Sequence, residues 1–289
     1  MRWGMRSGAA VLGLISGGPA LAAPRSGPAE CRAAPARIDR IEGVGPRGEI
    51  ALGSGGRALL GSLRWPEDPD AAGAAAAWLA RHRGRALTVT VRGEPDRWGR
   101  SRIDAIAEGE AGAGEAKGTE VEPVDLAGGL IRSGLAQVDA GEGDVLCRPG
   151  LLAAEAAARR AGLGLWRAPG PAAADGAALR AAAGRFVVAQ GRIVGVGERA
   201  ARTYLDFVRR GEDGLTVIVS KRTWRRLQDH GLSAAGLKGR IVRVRGIVEI
   251  GRGPVIDVAS AEMIEVLGED DGRGHDPGAG PERERALRR

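Results

Sequence analysis

Apolar and polar positions alternate in short runs along most of this chain, and a few stretches of helical spacing separate those runs. Near the start, 36–44 with 49–52 reads as a strand pair and 57–63 as a third strand. The next stretch, 64–70, carries Pro66 and Pro69 and reads as a loop, because proline fixes the backbone and donates no amide hydrogen bond. An Ala-rich helix is expected over 71–82, with Asp70 near its start and Gly84 just past its end. Runs at 87–91 and 102–107 flank Asp96-Arg97-Trp98-Gly99-Arg100 and form a hairpin. The Asp and Gly make its turn tight and leave Arg100 at the start of the outgoing strand. A Gly/Glu/Ala run at 108–119 reads as a surface loop, and 126–138 and 151–166 as helices.

The Ala/Pro/Gly-rich stretch 168–183 has few large apolar residues and marks a domain boundary. Beyond it, strands are expected at 186–194, 202–208 and 215–220. A helix follows at 221–230, stopping before Gly231, then strands at 240–250 and 254–258 and a last apolar piece at 263–267. Three strands, a helix and two more strands is the order of an OB-fold, a small barrel that often binds oligonucleotides. The polar, Gly/Pro-rich remainder, 268–289, reads as a disordered tail.

The hairpin ending in Gly99-Arg100, the strand after it, a helix closing on Gly134-Leu135-Ala136 and a Glu/Ala-rich helix closing on Leu165-Trp166 come in a fixed order. Together they resemble the thermonuclease (staphylococcal-nuclease-like) family over about residues 36–167. The resemblance implies an OB-like barrel there. The fold class expected is therefore mainly β with packed helices, as two OB-fold-like five-stranded barrels in tandem.

Length and the amino terminus refine this picture. A chain of 289 residues suits two domains. Arg2 and Arg6, the apolar run 9–15 and Ala20-Leu21-Ala22 read as a cleavable export signal over 1–22. The expected order is then a lead-in at 23–35, a thermonuclease-like domain at 36–167, a linker at 168–184, a second domain at 185–267 and the tail. The implied location is the periplasm or outside the cell, with no membrane span. In such an oxidising compartment the two cysteines, Cys31 and Cys147, are expected to pair. The net charge of +7 would suit nucleic acid, but only Lys117, Lys221 and Lys238 are lysines. An Arg-, Ala- and Gly-rich composition of this kind follows from GC-rich coding and makes charge a weak signal.

The family resemblance also implies chemistry: phosphodiester hydrolysis by an activated water. It needs a calcium ion held by carboxylates, a Glu near the water and two Arg on the phosphate. Aligned on Pro66-Glu67, the general-base position is Glu67 and the second phosphate-binding Arg is Arg100. The two metal Asp positions fall on Gly48 and Arg64, and the first Arg position falls on Leu59. Glu49 lies one residue from Gly48 and so on the opposite strand face, while Arg57 shares the face of Leu59. A guanidinium at 64 repels a cation. Asp68 and Asp70 are carboxylates that a shifted metal site could recruit. The remaining chemistry is thin. His82, His230 and His275 read as surface residues, and no phosphate-loop or dinucleotide motif is present.

In the second domain, alternation turns Val242 and Val244 inward and Arg243 and Arg245 outward. Likewise Leu205 and Phe207 turn in while Arg202 and Tyr204 turn out. Phe186 and Trp224 are assigned to the core. Arg202, Tyr204, Arg243 and Arg245 form the candidate nucleic-acid surface, with weak, salt-sensitive binding because rings for stacking are few. The expectation is an exported, non-catalytic binding protein of the cell envelope, without cofactor, whose partner is nucleic acid or another envelope protein. The alternative is a calcium-dependent nuclease with a rearranged metal site that uses Glu67 and Arg100.

Overall fold

The computed structural model describes residues 31–109, 122–141 and 145–268. The expected export signal, most of the loop at 108–119 and nearly all of the tail lie outside the described residues. The chain is mainly β, and its first sheet grows from a strand that bends. β1 (Arg37–Asp39) and β2 (Ile41–Val44) are separated only by Arg40. They are followed by β3 (Ile50–Leu52), β4 (Arg57–Leu60), β5 (Leu63–Arg64), β6 (Leu87–Arg92), β7 (Arg100–Ala107) and β8 (Val124–Asp125). The sheet order is β1-β6-β7-β4-β3-β2, so the two halves of the bent strand stand at its two ends and the sheet curls. β4 and β7 run parallel, which places Arg57 beside Arg100 and Leu59 beside Arg102. Alternation decides what fills the curl: Leu87, Val89, Ile103 and Ala105 are buried, and the residues between them point away.

Helix α1 (Pro69–Ala80) crosses between β5 and β6. It begins two residues earlier than the sequence suggested, because Asp68 is its cap and accepts from the Ala71 amide at 2.9 Å. Helix α2 (Leu126–Arg132) is shorter than expected. Gly134 takes a positive φ of 67° and turns the chain, so that β9 (Gln137–Val138) pairs with β5. Helix α3 (Leu151–Arg160) also stops early, at Gly162, and a short 3-10 turn at Gly164–Arg167 carries Trp166 inward. The two helix ends meet backbone to backbone: the Leu165 amide donates to the Gly134 carbonyl at 2.8 Å. A Cβ on either Gly134 or Gly164 would fall inside the other segment's main chain, so both positions require glycine. Cys31 and Cys147 form a disulfide with Cα atoms 5.2 Å apart, tying the first described residue to the segment before α3.

The second set of strands follows α4 (Gly176–Ala181). β10 (Phe186–Arg192) and β11 (Gly195–Glu198) are again consecutive, then come β12 (Arg202–Asp206) and β13 (Thr216–Ser220). Helix α5 (Lys221–Asp229), capped by Ser220, and the short α6 (Ala234–Leu237) lead to β14 (Ile241–Ile247), β15 (Glu249–Ile250), β16 (Pro254–Val258) and β17 (Ile264–Val266). The pairings form a three-stranded sheet, β10-β14-β17, and a five-stranded one, β11-β12-β13-β16-β15. As β4 does with β7 in the first set, a strand ahead of the helix runs parallel to one beyond it, here β13 to β16. Trp224 is fully buried, whereas Phe186 is only partly so. One cluster of buried apolar side chains runs through both sets, and no described helix is long and apolar enough to cross a membrane.

Candidate functional site

The turn between β6 and β7 is organised by Asp96. One carboxylate oxygen accepts from the Trp98 and Arg100 amides at 2.9 and 3.0 Å, and the other accepts from Arg100 Nε at 2.8 Å. Desolvation pushes the Asp96 carboxyl up, but these hydrogen bonds and the Arg100 charge outweigh it and hold the group below its ordinary range. Arg100 also reaches Glu49, with Nη1 at 3.3 Å from Oε1. A carboxylate thus occupies each edge of the guanidinium. Trp98 is 52% exposed, with the Arg97 and Arg100 guanidinium carbons 4.0 and 4.7 Å from its ring centroid. Arg57 donates to the Trp98 carbonyl at 2.9 Å.

Glu67 stands elsewhere. It accepts from Arg64 at 2.8 Å and lies 3.9 Å from Arg185 Nε, so both of its oxygens face guanidinium groups. Arg64 in turn sits 5.5 Å from the centre of the Phe186 ring. Gly48, Leu59, Arg64 and Glu67 all border a cleft of about 990 Å³ between the two sets of strands. Phe186, Ile247, Glu249 and Asp257 form its opposite wall. The cleft takes Arg102, not Arg100, from β7. Glu67 and Arg100, the two residues expected to act together, are therefore held in separate ion pairs and do not share the cleft.

The residues present do not fit a calcium ion. Gly48 bears no ligand, and at φ 76° a Cβ there would lie 2.5 Å from the Trp65 ring. Arg64 brings positive charge, Glu49 is engaged by Arg100, and Asp68 is spent on capping α1. Among the described residues, no group of three His, Cys, Asp or Glu side chains is placed to hold a metal ion. His82 is not at the surface as expected. It is buried, 4.8 Å from the Trp78 ring, with Nδ1 at 3.2 Å from Arg85 Nη1.

Of the four residues expected to form a nucleic-acid surface, two do not reach it. Arg202 and Tyr204 do lie on the outer side of β12, and Arg202 pairs with Asp257 at 3.2 Å. Arg243 and Arg245 are correctly opposite Val242 and Val244, but that face of β14 is covered and both arginines are buried. Helix α3 lies over it and contributes Glu155, and β17 contributes Glu265. Arg245 forms ion pairs with both carboxylates, with side-chain exposures of 0% for Arg245 and 1% for Glu155. Glu155 Oε1 accepts the Val138 amide at 2.8 Å. Arg159 stacks on Trp166 at 4.3 Å and lies 3.6 Å from Glu155. Burial, together with the charges of Arg243 and Arg245, pushes its guanidinium pKa down to about 10 against the opposing pull of Glu155 and Glu265. Sequence reasoning missed this cluster, although one signal was legible: Glu155 is the sole acid in α3. Compared with known proteins, the chain matches no family model and no curated protein.

Proposed function

We propose that this protein is an exported, non-catalytic binding protein built from two OB-type barrels, the first thermonuclease-like, whose ligand is an extended segment of another protein. The observation that carries the non-catalytic half is the separate neutralisation of Glu67 by Arg64 and Arg185 and of Arg100 by Asp96 and Glu49. A general base already bound to two cations is a poor proton acceptor, and a guanidinium held by two carboxylates has little charge left for a phosphate. The repeated arrangement of a bent first strand and a strand ahead of the helix that runs parallel to a strand beyond it supports the barrel reading.

The choice of a protein ligand rests on the cleft. Its volume is near the upper end for ligand sites, and its walls mix Leu59, Trp65, Phe186 and Ile247 with charges of both signs. A nucleic-acid groove needs an unbroken positive track, and the burial of Arg243 and Arg245 removes half of the one expected. The test is cleavage of single- and double-stranded DNA and RNA with calcium, other divalent ions and chelator, alongside nucleic-acid binding at graded salt. The expected result is neither cleavage nor steeply salt-dependent binding. A displayed random-peptide library should instead yield binders that a Leu59→Glu change in the cleft wall abolishes. Metal-dependent cleavage lost in both Glu67→Ala and Arg100→Ala would overturn the reading in favour of a nuclease. Tight nucleic-acid binding that falls steeply with salt would replace the protein ligand with nucleic acid.

A further inference from the structure

The charged side chains that border the cleft fall into two groups. One group is committed: Arg64 and Glu67 pair with each other, Asp257 with Arg202, and Arg245 with Glu155 and Glu265. Asp139 is half-buried and spends one oxygen on the Gly141 amide, at 2.9 Å. The other group is exposed and, among the described residues, held by no ion pair: Arg47, Arg102 and Glu249. A ligand charge that meets a committed group must displace its partner, whereas one that meets an exposed, unpaired group displaces only water. Recognition by charge therefore falls to these three. They are also sorted by wall. Arg47, from the turn between β2 and β3, and Arg102, beside Leu59 on the sheet, stand on the first wall. Glu249, in β15, stands on the second, two residues from Ile247, which is 42% exposed.

We propose that the segment held in this cleft is dipolar: an acidic side chain faces Arg47 and Arg102, and a basic one faces Glu249. Apolar side chains between them cover Leu59, Phe186 and Ile247. The inference rests on the protein-ligand reading above and gives that ligand its chemistry. An extended chain sends successive side chains to opposite sides. One lying between two walls therefore delivers its acid and its base from positions an odd number of residues apart. The apolar positions seat the segment, and the two charges set which way round it lies.

The test is selection of a displayed random-peptide library on the full chain, followed by affinity measurements with one selected peptide. Selected sequences should share an acid and a base at odd separation among apolar residues. Arg102→Glu should weaken that peptide at least about fivefold, the upper end for an exposed ion pair. Exchanging the peptide's acid for Lys should restore binding to this variant while weakening binding to the wild type. Glu249→Lys should behave in the same way towards the peptide's base. No peptide selected, or peptides indifferent to Leu59→Glu, would overturn the protein-ligand reading and this inference with it. Peptides that Leu59→Glu abolishes, but that carry no such charge pattern or are indifferent to both charge reversals, would overturn the dipolar ligand alone.

Discussion

Replacing Glu155 with Gln isolates the electrostatics of the buried cluster. The change is isosteric, and the amide oxygen can still accept the Val138 N–H that Glu155 Oε1 holds at 2.8 Å. What changes is charge: Arg245 would keep only Glu265, and Arg159 would lose the carboxylate that it lies against. Removing one partner from a buried pair costs about 3–5 kcal/mol, and the upper part of that range applies because Arg245 has no solvent to turn to. Arg245→Met makes the opposite point. It leaves each carboxylate a cation, with Arg159 still 3.6 Å from Glu155 and Arg243 3.7 Å from Glu265, so its cost should sit near the lower end, about 3 kcal/mol. Urea unfolding followed by tryptophan fluorescence would measure both, with an unchanged slope showing that the same surface unfolds. A cost of about 1 kcal/mol or less for Glu155→Gln, the value of an exposed pair, would refute the argument, as would the reverse ranking of the two variants.

Three further outcomes follow from local geometry. Reducing the Cys31–Cys147 bridge, or replacing both cysteines with Ser, should lower stability by about 4–5 kcal/mol by the loop-entropy estimate for a closure of 116 residues, read as a shift in the urea midpoint. Gly134→Ala should cost about 2–3 kcal/mol, because it combines a positive φ with a clash against the Leu163 carbonyl, whereas Ala at the unobstructed Gly73 should stabilise α1. Burial pushes the Asp39 carboxyl up, but the Ser54 hydroxyl, the Arg40 and Ser54 amides and Arg37 together hold it below its ordinary value. A depressed carboxyl stabilises the fold above its unfolded pKa, and that contribution is lost as pH falls through its folded value. Ser54→Ala should therefore cost about 1.5 kcal/mol at neutral pH, and the difference should vanish in acid below the ordinary Asp range, as followed by pH-dependent unfolding.

The strands were legible because alternation is a local property: Leu87 and Val89, or Val242 and Val244, declare their inward face without reference to anything distant. The helix ends were less so. Nothing local distinguishes Gly134 and Gly164 as stops until each is seen against the other's backbone. The same reasoning explains the error at Arg243 and Arg245. Alternation named the face they share correctly, but whether that face meets water or a helix from about 90 residues earlier is a tertiary fact. The proposed site had a similar fate. That Gly48 and Arg64 stand where carboxylates were sought was readable in the sequence, whereas the partners that hold Glu67 and Arg100 apart were not.

The Trp65 ring over Gly48 bears on which substitutions the chain can accept as well as on its shape. The indole donates to the Pro46 carbonyl at 3.1 Å and fills the space that any side chain at 48 would enter. A single mutation that writes Asp at 48 would meet both that ring and an unfavourable backbone angle. An acidic side chain is admitted at 48 only after position 65 has become smaller, a change that by itself forfeits packing and a hydrogen bond. A carboxylate at this position is thus closed to evolution by single substitutions, with Trp65 acting as the latch.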